Sequence, residues 1–88
     1  MELEWDERAV EHVERHGLRR AEVEQVVSNS RSRWLRSGRE RYIVLGQTDS
    51  GLFVKVVLDP LEHGRYYPVT AYDMSEAEKQ AYRRRAKR

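Results

Sequence analysis

Val69-Thr70-Ala71-Tyr72-Asp73-Met74-Ser75, followed by Glu76-Ala77-Glu78-Lys79-Gln80-Ala81-Tyr82-Arg83-Arg84-Arg85, is the stretch on which the fold turns. Its first half alternates as a β-strand does, and Ser75-x-x-Glu78 then has the spacing of a reciprocal helix cap. The Ser75 hydroxyl accepts from the Glu78 amide while the Glu78 carboxylate reaches back to the Ser75 amide, so a strand hands over sharply to a helix. On such a strand Val69 and Ala71 point to one side and Thr70 and Tyr72 to the other. The small apolar pair suits a helix-covered core. Thr70 and Tyr72 are then left facing the basic helix that follows.

Working back from this strand, the apolar period is 2. Tyr66-Tyr67-Pro68-Val69-Thr70-Ala71-Tyr72 forms one strand, in which Pro68 is tolerable only at an edge, at a bulge, or where no neighbour needs its missing donor. Pro60 to Gly64 is the loop before it. Leu52, Val54, Val56 and Leu58 alternate along a second strand, and Tyr42-Ile43-Val44-Leu45 is apolar on both faces. Thr48-Asp49-Ser50-Gly51 between them reads as a hairpin turn with glycine where a positive φ is wanted. Trp34-Leu35 sits in a basic edge strand. Before Ser30 the period is helical: Trp5, Ala9, Val10 and Val13 line one helix with Asp6 as N-cap and Gly17 as stop, and Val23, Val26 and Val27 line a second over residues 20–28. The expected fold is α+β, with two N-terminal helices on one face of a four-stranded antiparallel sheet and a C-terminal helix. Its core should hold Val10, Val13, Val23, Val26, Val44, Val54, Val56, Val69 and Ala71.

The 88 residues suit a single domain, 1–88, with one modest core. With no cysteine, neither a disulfide framework nor a thiolate metal site is available. No apolar run approaches the roughly 20 residues of a membrane span, and the acidic start Met1-Glu2-Leu3-Glu4-Trp5-Asp6 is unlike a signal peptide, which points to the cytoplasm. Charge is divided unevenly. Residues 1–30 hold eight acids against four arginines, a net −4, and residues 31–88 hold thirteen Lys and Arg against seven acids, a net +6. The positive excess covers Arg31, Arg33, Arg36, Arg39 and Arg41 and then the C-terminal run through Lys87 and Arg88. That is either a solvated face or the footprint of a polyanion or acidic partner.

No Ser/His/Asp or Cys/His set and no Gly-rich phosphate loop is present. His12 and His16 lie four apart on one helix face, but two nitrogens without a third ligand are a weak metal signal, and no metal is expected. His16 suits packing against the Gly17 turn. His63 lies in a loop beside the basic region.

Several short motifs together resemble the BrnT family of bacterial toxins: Trp5-Asp6 opening the first helix and His16-Gly17 closing it, then Arg41-Tyr42-Ile43-Val44-Leu45-Gly46 leading to the Asp49-Ser50-Gly51 turn. Thr70-Ala71-Tyr72-Asp73-Met74-Ser75 before a Tyr-Arg-rich helix completes the set, which runs from Leu3 to Arg85. The resemblance implies a fold similar to the RelE-type ribonucleases, cleavage of RNA that stops translation, no cofactor, and neutralisation in a hetero-oligomer with a DNA-binding BrnA-type antitoxin. Family members commonly carry Arg where this chain has Tyr72 and Gln47. Lys55, Arg65 and Arg83 are then the cations left to hold the phosphate, with Tyr72 as hydrogen-bond donor or acid. Thr70, Tyr82, Arg84, Arg85 and Arg41 are expected to bind the RNA. The alternatives are a non-catalytic module of the same fold that binds nucleic acid or a repressor, and an interaction protein whose basic face docks an acidic partner.

Overall fold

The computed structural model describes residues 2–38 and 40–86, with side chains through Arg84. Helix α1 (Glu7–Arg15) starts where the Asp6 carboxylate accepts from the Ala9 amide at 2.8 Å, filling one of the donors that a helix start leaves open. It ends where Gly17 adopts φ +77° and the amides of Gly17 and Leu18 donate back to the carbonyls of Glu14 and Val13, at 2.9 and 3.0 Å. This cap needs a left-handed residue, which glycine supplies without a Cβ clash. Helix α2 (Arg20–Ser28) follows at once, and its buried Glu22 carboxylate accepts from the Arg19 amide at 2.9 Å.

Strands β2 (Arg33–Ser37), β3 (Arg41–Gln47), β4 (Phe53–Pro60) and β5 (Arg65–Asp73) pair antiparallel in succession, with β2 at one edge. The β3–β4 turn closes as read: Gly51 takes φ +96° and its amide donates to the Thr48 carbonyl at 2.9 Å. Beyond β5 lies one more strand, β1 (Glu2–Leu3), parallel to the start of β5. The sheet is therefore mixed and five-stranded, in the order β1-β5-β4-β3-β2, rather than four-stranded and antiparallel. Two residues are too few to show a period. The Glu4 amide on the Tyr66 carbonyl, at 2.8 Å, and the packing of Leu3 on the core hold β1 in place. Helix α3 (Glu76–Ala86) carries the expected cap, with Ser75 Oγ accepting from the Glu78 amide at 3.1 Å and Glu78 Oε1 accepting from the Ser75 amide at 2.8 Å.

The two faces of the sheet bury different things. Helices α1 and α2 and the turn between them cover Val44, Val54, Val56, Leu58 and Ala71 with Val13, Leu18, Val23, Val26 and Val27. Trp34, Tyr42 and Tyr66 extend this core as three rings meeting edge-on at 5.3–5.9 Å. On the opposite face Tyr82 of α3, with Met74 from the connection before it, packs on Leu45. Val10 and Val69, expected in the core, are only half-buried. Val69 is displaced by a β-bulge: Leu58 pairs with Pro68 and Val57 with Thr70, which leaves Val69 without a partner on β4. Pro68 next to a bulge is thereby accommodated inside the sheet.

Candidate active site

The bulge also sets the register of everything after it. Counted on from the Leu58–Pro68 pair without interruption, Lys55 would face Ala71; with Val69 extruded, Lys55 faces Tyr72. The Lys55 ammonium lies 5.2 Å from the centre of the Tyr72 ring and 2.8 Å from Glu78 Oε2. Glu78 is the residue that caps α3, so one carboxylate both starts the helix and holds the lysine. Burial by itself would raise the Glu78 carboxyl, but the hydrogen bonds from Lys55 and the Ser75 amide outweigh it and hold the group below its ordinary range. The same bond to Glu78 raises Lys55 against its partial burial. Both groups are charged at neutral pH.

Helix α3 brings a second cation. Tyr82, buried, meets Phe53 edge-on at 6.1 Å, and the Arg83 guanidinium lies 4.8 Å over the Phe53 ring, with Lys79 5.8 Å from it. Phe53 and Lys55 are alternate residues on one face of β4, about 7 Å apart. Arg83 therefore flanks the Lys55–Tyr72 pair. Gln47, opposite Phe53, donates to the Gly51 carbonyl at 3.2 Å and braces the turn beside them.

On its outer side the later half of β5 meets α1. His12 Nδ1 lies 3.2 Å from the Val69 carbonyl at the bulge, and the His16 ring is 5.6 Å from the Tyr72 ring at a tilt of 51°. His12, Arg15, His16, Val69 and Thr70 line a groove of about 320 Å³. A larger groove of about 580 Å³, at Trp5, Asp6, Glu7, Val10, Glu11 and Arg20, is rich in acids and repels a phosphate.

Of the residues singled out in the sequence, Tyr72, Lys55, Arg83 and Thr70 come together at this end of the sheet. Arg65 does not. It opens β5, seven residues from Tyr72 or roughly 23 Å along the strand, and its guanidinium is paired with Glu4. Arg41 is at that far end too, bonded to both Asp59 oxygens at 2.7 and 3.2 Å. Tyr82 is a packing residue and only 3% exposed, so it presents no surface to RNA. Arg84 is exposed on α3. The Arg85 side chain, like Arg39, Lys87 and Arg88, lies outside the described residues. Two participants escaped the sequence reading. Glu78 was visible as a cap, but its contact with Lys55 depends on the hairpin register; His16 was assigned to its own turn and instead faces Tyr72.

No family model and no curated protein matches this sequence. The fold does have a counterpart among solved structures, the crystal structure of the Brucella abortus ribonuclease toxin, BrnT. The match has a TM-score of 0.68 and covers 86% of this chain and 99% of that one, at 19% sequence identity. The motif resemblance is met in three dimensions, and this chain is an α+β protein with the fold of BrnT.

Proposed function

We propose that this chain is the toxin of a type II toxin–antitoxin pair, a metal-independent endoribonuclease that cuts RNA and stops translation in the cytoplasm. On this reading a BrnA-like DNA-binding antitoxin holds it inactive. The observation that carries the proposal is the fold shared with a ribonuclease toxin over most of this chain and nearly all of that one, with Tyr72, Lys55 and Arg83 gathered at one end of the sheet. RNA brings its own nucleophile, the 2′-hydroxyl, so a protein need only position the phosphate, stabilise the added charge and ease two proton transfers. Lys55 and Arg83 supply positive charge, and the Tyr72 hydroxyl supplies a hydrogen bond. Arg84 and Thr70 contribute to holding the strand.

A second reading has its own support. Lys55 is already paired with Glu78, Arg83 lies over Phe53, and Tyr72 and Gln47 stand where the family commonly has Arg. A module that binds nucleic acid or a repressor without cutting would tolerate these features. Induced expression separates the two, scored by growth arrest and RNA fragmentation for the parent, Tyr72→Phe and Lys55→Ala. The ribonuclease reading expects arrest with fragmentation in the parent, and a rate about 100- to 1000-fold lower in each folded variant. A parent that cleaves nothing when free of antitoxin leaves the binding module in its place, and variants as active as the parent remove Tyr72 and Lys55 from the site.

A further inference from the structure

We infer that His12 and His16 are the general base and general acid of RNA cleavage, acting in the groove between α1 and the bulged half of β5; the inference rests on the ribonuclease reading. Three observations place them there. The rings stand one helical turn apart, so both lie on the face that α1 turns toward β5. They share a groove of about 320 Å³ with Arg15 and Thr70, within the range of about 300–1,000 Å³ that ligand sites occupy. Tyr72, whose ring also meets Lys55 in the proposed phosphate site, sits against His16.

The tautomer of His12 follows from its partner. A carbonyl only accepts, so the nitrogen 3.2 Å from the Val69 carbonyl is the one that carries hydrogen, and the lone pair of a neutral ring is on Nε2. The bulge matters here because Val69 lacks a partner on β4. His12 is thus oriented as a proton acceptor, while His16 is exposed at the mouth of the groove. The groups facing the two rings are Arg15 on their own helix and, across the groove, Thr70 and Tyr72 of β5, with Lys55 of β4 behind Tyr72.

In the step itself the 2′-oxygen bonds to phosphorus as the bond from phosphorus to the 5′-oxygen breaks. The 2′-hydroxyl proton passes to His12 Nε2, and the departing 5′-oxygen takes a proton from the His16 imidazolium. The products are a 2′,3′-cyclic phosphate and a 5′-hydroxyl, with the ring protons restored by exchange with water. Arg15 and Thr70 steady the phosphate.

The test is the pH dependence of cleavage of an RNA oligonucleotide by the purified chain and by His12→Asn and His16→Gln, with folding verified by circular dichroism. Asparagine keeps an amide donor for the Val69 carbonyl while deleting the base. The parent should give a bell-shaped profile and cyclic-phosphate ends, and no cleavage of the 2′-deoxy analogue. Each variant should cut at least about 100-fold more slowly; His12→Asn should lose the acidic limb and His16→Gln the basic limb. Folded variants with the parental rate and profile would overturn the inference and leave the ribonuclease reading standing. A parent that cuts no RNA would overturn both.

Discussion

Lys55 and Glu78 show how much one residue pair carries in this protein. Their side chains are 18% and 28% exposed and meet at 2.8 Å, and the carboxylate is shared between the lysine and the first turn of α3. Lys55→Met would leave that carboxylate half-buried without its cation, which should cost about 1–2 kcal/mol in urea unfolding at pH 7. Glu78→Gln should cost a similar amount. Because the folded Glu78 carboxyl titrates below its ordinary 4.5, its stabilisation is present above that pH and disappears as the pH falls through the lower folded value. The gap between parent and Glu78→Gln should therefore narrow as the pH falls below 4.5. Lys55 has the opposite sign: raised from 10.5, its share is complete below that pH and is lost only as the pH climbs past it. A gap that persists undiminished at pH 3 would show that Glu78 acts by packing rather than by charge.

At the scale of elements, the boundaries that follow from local chemistry were legible and those that depend on pairing were not. Asp6, Gly17, Gly51 and Ser75 mark helix ends and turns by their own side chains or lack of one, and each acts as its residue type dictates. The cap at Ser75 should be worth about 1 kcal/mol to α3, measurable as the cost of Ser75→Ala. Strand β1 was invisible because two residues have no period, and the bulge at Val69 because an extra residue looks like any other until it is paired. That single extrusion moves Tyr72 onto Lys55, presents the Val69 carbonyl to His12, and removes Val69 from the core. The candidate site was accordingly half legible: Tyr72, Lys55 and Arg83 were named, but Arg65 and Arg41 were added from charge alone. Packing sets a further limit at Gly46. A Cβ there would come within 2.1 Å of Ser32 Oγ, which is itself bonded to the Val26 carbonyl at 2.6 Å, and 3.1 Å from Val26 Cγ1. Gly46→Ala should destabilise the protein by about 1–3 kcal/mol, since α2 and β3 would have to separate or Ser32 give up its bond. A thermal midpoint equal to the parent's would show that the contact relaxes freely.

Over the whole molecule the sheet separates unlike charge. The acidic first thirty residues fold mainly as α1 and α2 on one face, while the basic residues of α3 lie over the other, so an approaching polyanion is drawn to the α3 side. Within the acidic layer, His12, Arg15 and His16 gather where α1 meets the free side of β5. The field and the groove thus converge on the end of the sheet where Tyr72 stands. If RNA binds there, its affinity is governed by phosphate neutralisation, and the logarithm of the binding constant falls linearly with the logarithm of salt concentration. Replacing Arg83 and Arg84 with Gln should lower that slope by about 1.4, since each phosphate contact on a single strand accounts for about 0.7, and should weaken all sequences alike. The fold should survive, because α3 is started by Ser75 and Glu78 and anchored by Tyr82 on Phe53, none of which is altered. Titrations of fluorescent RNA at several salt concentrations measure the slope directly. A slope unchanged by the double substitution would place the phosphate path away from α3, along the groove at Arg15, where Arg15→Gln would then be the substitution that lowers it.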